Sequence, residues 1–254
     1  MSVFALKLCA VLFMLVDHLG ILLYRHQQIA FEFYHWMRLL GRFSFPLYAF
    51  LLAEGFRHIR KDPERVGKHA ELLLLLAVVS ELFFDRFLYG AWISSKGQSV
   101  IVTMLLGFCG LLLAERHRSQ PWIQAGIFLL IAVCARQLST DYSAPGVLLI
   151  FVCYIYLERT ELSTFGKRLF GMMLVMTFYY AVYCWVHSGG GAPAEIWNYA
   201  RRMGDYIYPH IILIPILASY TGKPGPRLKP LHRCYQWFYP LHLALLVLAG
   251  KLLG

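Results

Sequence analysis

Apolar runs alternate with short charged connectors along the whole chain. Nine runs approach the ~20 residues needed to cross a hydrocarbon core: 4–24, 36–56, 69–88, 99–115, 121–138, 144–158, 169–187, 206–220 and 234–253. Several are a few residues short, so their bounds are soft and a tenth element is compatible. No internal repeat or low-complexity segment interrupts them. The pattern predicts an all-α, polytopic transmembrane helical bundle of about nine (8–10) spans, folded as one domain over residues 1–254.

Composition agrees with that pattern. Of the 254 residues 59% are hydrophobic and 15% charged, with mean hydropathy +0.56; a soluble domain carries about 25% charged residues. The net charge of +10 does not point to nucleic acid, because the charges fall in short loops where basic residues set orientation. Even-numbered loops hold fourteen Lys and Arg, from Arg57 through Arg233, and odd-numbered loops hold seven, Arg38 at the ragged start of the second run counted among them. The positive-inside rule therefore places the even loops and the N-terminus in the cytoplasm. Residues 1–24 have no small-x-small cleavage site after them and read as a retained helix. The six cysteines, Cys9, Cys109, Cys134, Cys153, Cys184 and Cys234, form no CxxC pair, and no metal site is indicated. Loop 7, His187–Asp205, is the longest on the outer side. Its SGGGAP turn precedes AEIWNYARRM, expected as a short interfacial helix and a candidate lid.

What changes the picture is polar residues inside the apolar runs. The first span carries Asp17 and His18, and a carboxylate at such depth costs roughly 2.5–3.5 kcal/mol. Counting along the spans puts His18, Arg42, Glu81, Asp85, Asp141 and Tyr142 in one outer layer. Asp17 and His18 lie about 100° apart around their helix and face different neighbours. Glu81 and Asp85 are i,i+4 and repel unless a cation or proton lies between them, for which Arg42 is the nearest intramembrane cation. A structural ion-pair network accounts for these three as well as catalysis does. Glu54 has Arg57 and His58 at i+3 and i+4, a local pairing that competes with any role in binding. Pro46 kinks or loosens the second span and frees a carbonyl near Arg42. His242 follows Tyr239-Pro240 near mid-membrane and, alone, reads as a core histidine. No P-loop, GxGxxG, HExxH or GxSxG occurs. A buried histidine among carboxylates and an arginine suits proton abstraction with anion stabilisation. The same residues would also serve a proton-coupled transporter, or brace a non-catalytic envelope assembly factor.

LVDHLG (15–20), GRFSFPLYAFLLAEGF (41–56), SELFFDR (80–86), DYSAPGVLLI (141–150), YTGKPG (220–225) and FYPLHLALL (238–246) together resemble the TraX family over most of the chain. Ser99 and Thr221 stand where that family's pattern has asparagine. The resemblance implies a bacterial inner-membrane, multi-pass protein that acetylates a pilin amino terminus, akin to the transmembrane acyltransferases with a histidine in the first helix. It implies acetyl-CoA as cytoplasmic donor, membrane lipid as surroundings, a pilin-like envelope protein or a glycan as acceptor, and no nucleic acid. In that scheme His18 is the base, Glu81 or Asp141 orients its ring, Arg42 stabilises the oxyanion, and Asp17 completes the motif. Glu54, Asp85, Tyr142, Tyr239 and His242 would contact the acceptor or line the site. Arg57, Arg60, Lys61 and Lys223, in the densest cytoplasmic clusters, would attract the donor's phosphates.

Overall fold

A computed structural model describes residues 1–159, 164–189, 191–202, 212–223, 225–226 and 229–253. The described residues form eleven helices and no strand: α1 Val3–Arg25, α2 Phe31–Gly41, α3 Ser44–Ile59, α4 Pro63–Tyr89, α5 Val100–Arg116, α6 Pro121–Gln137, α7 Ser143–Arg159, α8 Phe165–His187, α9 Pro193–Arg202, α10 Leu213–Ala218 and α11 Lys229–Leu253. Among them α1, α8 and the Tyr235–Leu253 part of α11 are long and apolar enough to cross a membrane. α5, α6 and α7 have 17 residues each, or about 25 Å at 1.5 Å per residue, a little under the ~30 Å core. The all-helical bundle agrees with the sequence, whereas a count of nine spans is not established.

The expected span 36–56 is two helices. α2 ends at Gly41, Arg42 caps it, and α3 starts at Ser44. Pro46 thus sits in the first turn of α3, where its missing N–H has no intrahelical acceptor to leave unpaired; it marks a start rather than a kink. The Ser44 hydroxyl donates to the Ala10 carbonyl at 2.8 Å and ties the break to α1. Of the expected span 206–220, residues 203–211 lie outside the described residues, and the rest holds the six-residue α10. The short helix expected in loop 7 is α9.

α1 packs against α2, α3 and α11, so each of its faces meets a different partner. Against α2 the contact is close: a Cβ on Gly41 would overlap the Asp17 side chain, and one on Gly20 would lie 2.8 Å from Met37 Cβ. Small residues permit this approach where lipid gives no hydrophobic drive between helices. α11 runs parallel to α1, with Lys7 beside Tyr235, His18 beside His242 and His26 near Gly250. Two apolar clusters fill the interior. The larger joins α1, α3, α5, α6, α7 and α8 around Phe45, Phe50, Phe108 and Phe128. The smaller, with Met14, Leu22, Phe84, Phe87, Tyr239, Leu243 and Leu246, joins α1, α4 and α11. Outside, Leu74, Val78, Leu130, Phe170 and Leu245 are exposed, the outward-facing apolar surface of a helix bundle built for lipid.

Candidate functional site

His18 and His242 face each other across α1 and α11. Their rings lie in the smaller apolar cluster, 9% and 3% exposed. His18 Nδ1 is 2.8 Å from His242 Nε2, and His242 Nδ1 is 2.9 Å from the Phe238 carbonyl oxygen one turn back. Phe87 packs edge-on to His18 with centroids 5.8 Å apart. Tyr239 stands edge-on to both imidazoles, 6.2 Å from His18 and 5.4 Å from His242. The partner of His18 is therefore a second histidine rather than Glu81 or Asp141. Helical spacing explains the meeting. Lys7, Met14 and His18 share one face of α1, and Tyr235, Tyr239 and His242 share one face of α11.

Asp17 points the other way. Its Oδ2 accepts from Arg38 Nη1 at 2.6 Å, across to α2. Arg42 lies 5.6 Å from the Tyr142 ring centroid, hydrogen-bonds the Tyr142 side chain, and feels the charges of Asp17 and Asp141. Two carboxylates thus face two guanidiniums, and the cluster is neutral as a unit. Arg38 belongs to it, although the sequence reading counted it only as a loop charge. Tyr142 and Ser143 have φ of 63° and 46°, conformations that strain residues with a Cβ and persist only when their surroundings fix them. Asp141 N–H donates to the Gln98 carbonyl and Gln98 N–H to Ser139, which pins this turn to the start of α5.

Glu81 and Asp85 do not share Arg42. Ser99 N–H donates to both Glu81 oxygens, at 3.0 and 3.3 Å, and Ser94 N–H donates to Asp85 Oδ2 at 2.6 Å. Each carboxylate takes its own backbone amide from the α4–α5 connection, and no cation pairs with either among the described ion pairs; Asp85 Oδ1 is left buried without a hydrogen-bond partner among the described contacts. Glu54, 3% exposed, pairs with Arg57 Nε at 3.2 Å and accepts from the Tyr220 hydroxyl. It fastens α3 to the YTGKPG segment, which also binds the first residues: Val3 N–H donates to Lys223 O and Thr221 N–H to Met1 O.

A cavity of about 540 Å³ runs between α1, α3, α4, α5 and α11. Lys7, Arg65, Lys68 and His69 line one end, and Met14, Leu76, Val100, Ile101 and Tyr239 the other. Arg65 to Leu76 spans eleven positions of α4, or about 16 Å. The walls between are apolar, from Leu51, Leu52, Leu72, Leu73 and Met104. Tyr239 is both wall and neighbour of the histidine pair, so the far end of the cavity abuts His18 and His242. Pro240 withholds the N–H that would otherwise bond the carbonyl of Gln236, another wall residue. The four residues expected to attract a donor do not line this cavity. Arg57 donates to the Leu157 carbonyl at 3.0 Å besides its pair with Glu54. Arg60 bridges Glu115 at 3.3 Å and Glu158 at 3.0 Å; burial lowers its pKa, but those bonds and charges outweigh it and hold the pKa above its ordinary value. Lys61 and Lys223 are exposed. The basic mouth is instead Lys7, on the face of α1 that carries Met14 and His18, with Arg65, Lys68 and His69, on the face of α4 that carries Leu72, Leu73 and Leu76; Lys68 also pairs with Glu64 at 2.5 Å on the surface.

An all-helical bundle with an outward apolar surface and a buried histidine pair abutting an internal cavity defines a helical membrane protein with an interior polar site. The chain belongs to the TraX family, whose description "TraX protein" matches residues 2–249. It is also 27% identical over 261 residues to a protein of Dichelobacter nodosus named "Probable fimbrial assembly protein FimC, serogroup H1", with 99% of this chain and 97% of that protein covered. No solved structure matches it.

Proposed function

We propose that this protein is a membrane-embedded acetyltransferase of pilus or fimbrial biogenesis that takes acetyl from cytoplasmic acetyl-CoA, with His18 as general base. The observation that carries this reading is the cavity that runs from a basic mouth to Tyr239, whose ring stands edge-on to both histidines. Its polarity matches the donor. Lys7, Arg65, Lys68 and His69 meet phosphates, the apolar walls meet the pantetheine arm, and the Gln236 carbonyl offers an acceptor to an amide N–H. The thioester then lies at Tyr239, beside His18. An acceptor amine or hydroxyl loses its proton to His18 Nε2 while its lone pair bonds the acetyl carbon. The C–S bond breaks, and the CoA thiolate takes the proton back from His18. Family membership and the fimbrial name of the Dichelobacter nodosus relative support a pilin-like acceptor at the outer side; a glycan of the envelope would present a hydroxyl to the same base.

The test is transfer of labelled acetyl from acetyl-CoA in proteoliposomes carrying the purified protein and a pilin-like acceptor. Wild type transfers label, and folded His18→Ala is slower by about 10²–10⁴-fold, the usual worth of a general base. Full activity in His18→Ala would overturn the assignment. A proton-coupled carrier using the same buried residues would show no thermal stabilisation by acetyl-CoA in detergent, whereas the transferase does.

A further inference from the structure

His242, the last residue of the FYPLH stretch, takes no step in the scheme above, yet its ring is hydrogen-bonded to His18. A carbonyl oxygen only accepts, so the 2.9 Å contact to Phe238 O places a proton on His242 Nδ1. A second proton, on Nε2, would make His242, 3% exposed, a cation against the rings of Phe238 and Tyr239, with no carboxylate against it among the described contacts. His242 Nε2 is thus a bare acceptor. The 2.8 Å contact then requires the proton on His18 Nδ1, and neutral His18 is left with its lone pair on Nε2. From the carbonyl outward, one chain of two hydrogen bonds decides which ring nitrogen of His18 can act as a base.

We propose that His242 is the positioning residue of this site: by accepting from His18 Nδ1 it holds His18 in the tautomer whose Nε2 takes the acceptor's proton. This rests on the reading of His18 as the base. The bond also follows the reaction. When Nε2 takes the proton, His18 becomes an imidazolium whose Nδ1–H still donates to neutral His242, and a hydrogen bond with a charged donor is about twice as strong as a neutral one. When the proton leaves with the thiolate, the neutral pair is restored. His242 itself neither gains nor loses a proton, and the acetyl group never touches it.

The experiment is nitrogen-15 NMR of histidine-labelled protein in detergent, with His18→Gln identifying the His18 signals, alongside kinetics of His242 variants. Expected is His18 protonated at Nδ1 and bare at Nε2. His242→Leu should lower kcat about 10- to 100-fold and leave KM for acetyl-CoA unchanged, because the ring does not line the donor cavity. His242→Gln, whose amide oxygen can replace Nε2 as acceptor, should recover most of the rate. A proton on His18 Nε2 in the wild type would overturn the proposal. So would wild-type kcat in folded His242→Leu, or a Gln variant as slow as the Leu variant. Should His242→Leu fail to fold, the wild-type spectrum and the Gln variant still decide. Failure of the underlying reading is separate, since it appears as full activity in His18→Ala whatever tautomer the spectrum reports.

Discussion

Two polar centres sit on opposite faces of α1, one residue apart in sequence and unlike in construction. On the α2 side, Asp17 meets Arg38, with Arg42, Asp141 and Tyr142 behind it, and charge is balanced by charge. On the α11 side, His18 meets a single neutral imidazole, and nothing answers its second nitrogen among the described contacts. The first arrangement sets carboxylates against guanidiniums, with Asp17 Oδ1 alone left buried and without a hydrogen-bond partner among the described contacts. The second keeps a basic lone pair in an apolar setting beside a cavity. Depth in the membrane is therefore a poor guide to function; what separates the two centres is whether opposite charges answer each other or a neutral base is left beside a cavity.

The widest separation should come from Asp17→Ala. It leaves Arg38 and Arg42 facing Asp141 alone, and an uncompensated buried charge costs about 3–5 kcal/mol. The melting temperature in detergent should fall sharply while the folded fraction keeps its acetyl transfer per molecule, the reverse of His18→Ala. Adding Arg38→Met to Asp17→Ala removes the opposed pair together and should restore much of the stability. If Asp17→Ala melts like wild type but transfers no acetyl, the division between the two centres is wrong.

Gly41→Ala attacks the same face through sterics. A methyl group there overlaps Asp17, and overpacking of a tight contact costs about 1–3 kcal/mol. The loss should again show in thermal unfolding and leave KM for acetyl-CoA unmoved. A rise in KM without loss of stability would mean that α2, not α4 and α11, borders the donor.

How much of this was legible beforehand follows the physics of each contact. The 100° between Asp17 and His18 is a property of the helix and needs no partner to be read, so their division between faces was in reach. The i,i+4 carboxylates of α4 were equally visible, but their partners are the N–H groups of Ser99 and Ser94, and side-chain pairing cannot find a backbone donor in a connection of unknown path. Arg38 looked like a loop charge because Trp36–Phe56 reads as one apolar run with a ragged start. The break at Arg42–Phe43, which turns Arg38 onto Asp17, depends on tertiary contacts of α1. His242 alone is an ordinary core histidine. Its meaning came from the parallel course of α1 and α11, although the matched stripes Lys7–Met14–His18 and Tyr235–Tyr239–His242 carry that register in the sequence. The basic mouth was misplaced for a similar reason, since local density of Lys and Arg favoured Arg57 and Arg60, whose guanidiniums are spent on Glu54, Glu115 and Glu158.

The smallest effect tests the cavity from its far end. Lys7 is half-buried, 4.8 Å from the Tyr235 ring centroid, and no carboxylate pairs with it among the described ion pairs. If it meets a donor phosphate, Lys7→Gln should raise KM for acetyl-CoA about fivefold, worth roughly 1 kcal/mol, and leave kcat alone, since the chemistry lies several turns away at His18. Loss of the contact with Tyr235 could reshape the cavity instead, so the substrate must separate the causes. Acetyl-pantetheine has the thioester and the arm but no phosphate. A phosphate contact makes its KM indifferent to Lys7→Gln; a reshaped cavity raises both KM values together. Added salt should weaken acetyl-CoA binding to the wild type more than to the variant, because the variant has already lost one of the charges being screened. Equal KM values for acetyl-CoA in wild type and Lys7→Gln would move the donor's phosphates away from this mouth and, with them, the argument that joins the cavity to the histidine pair.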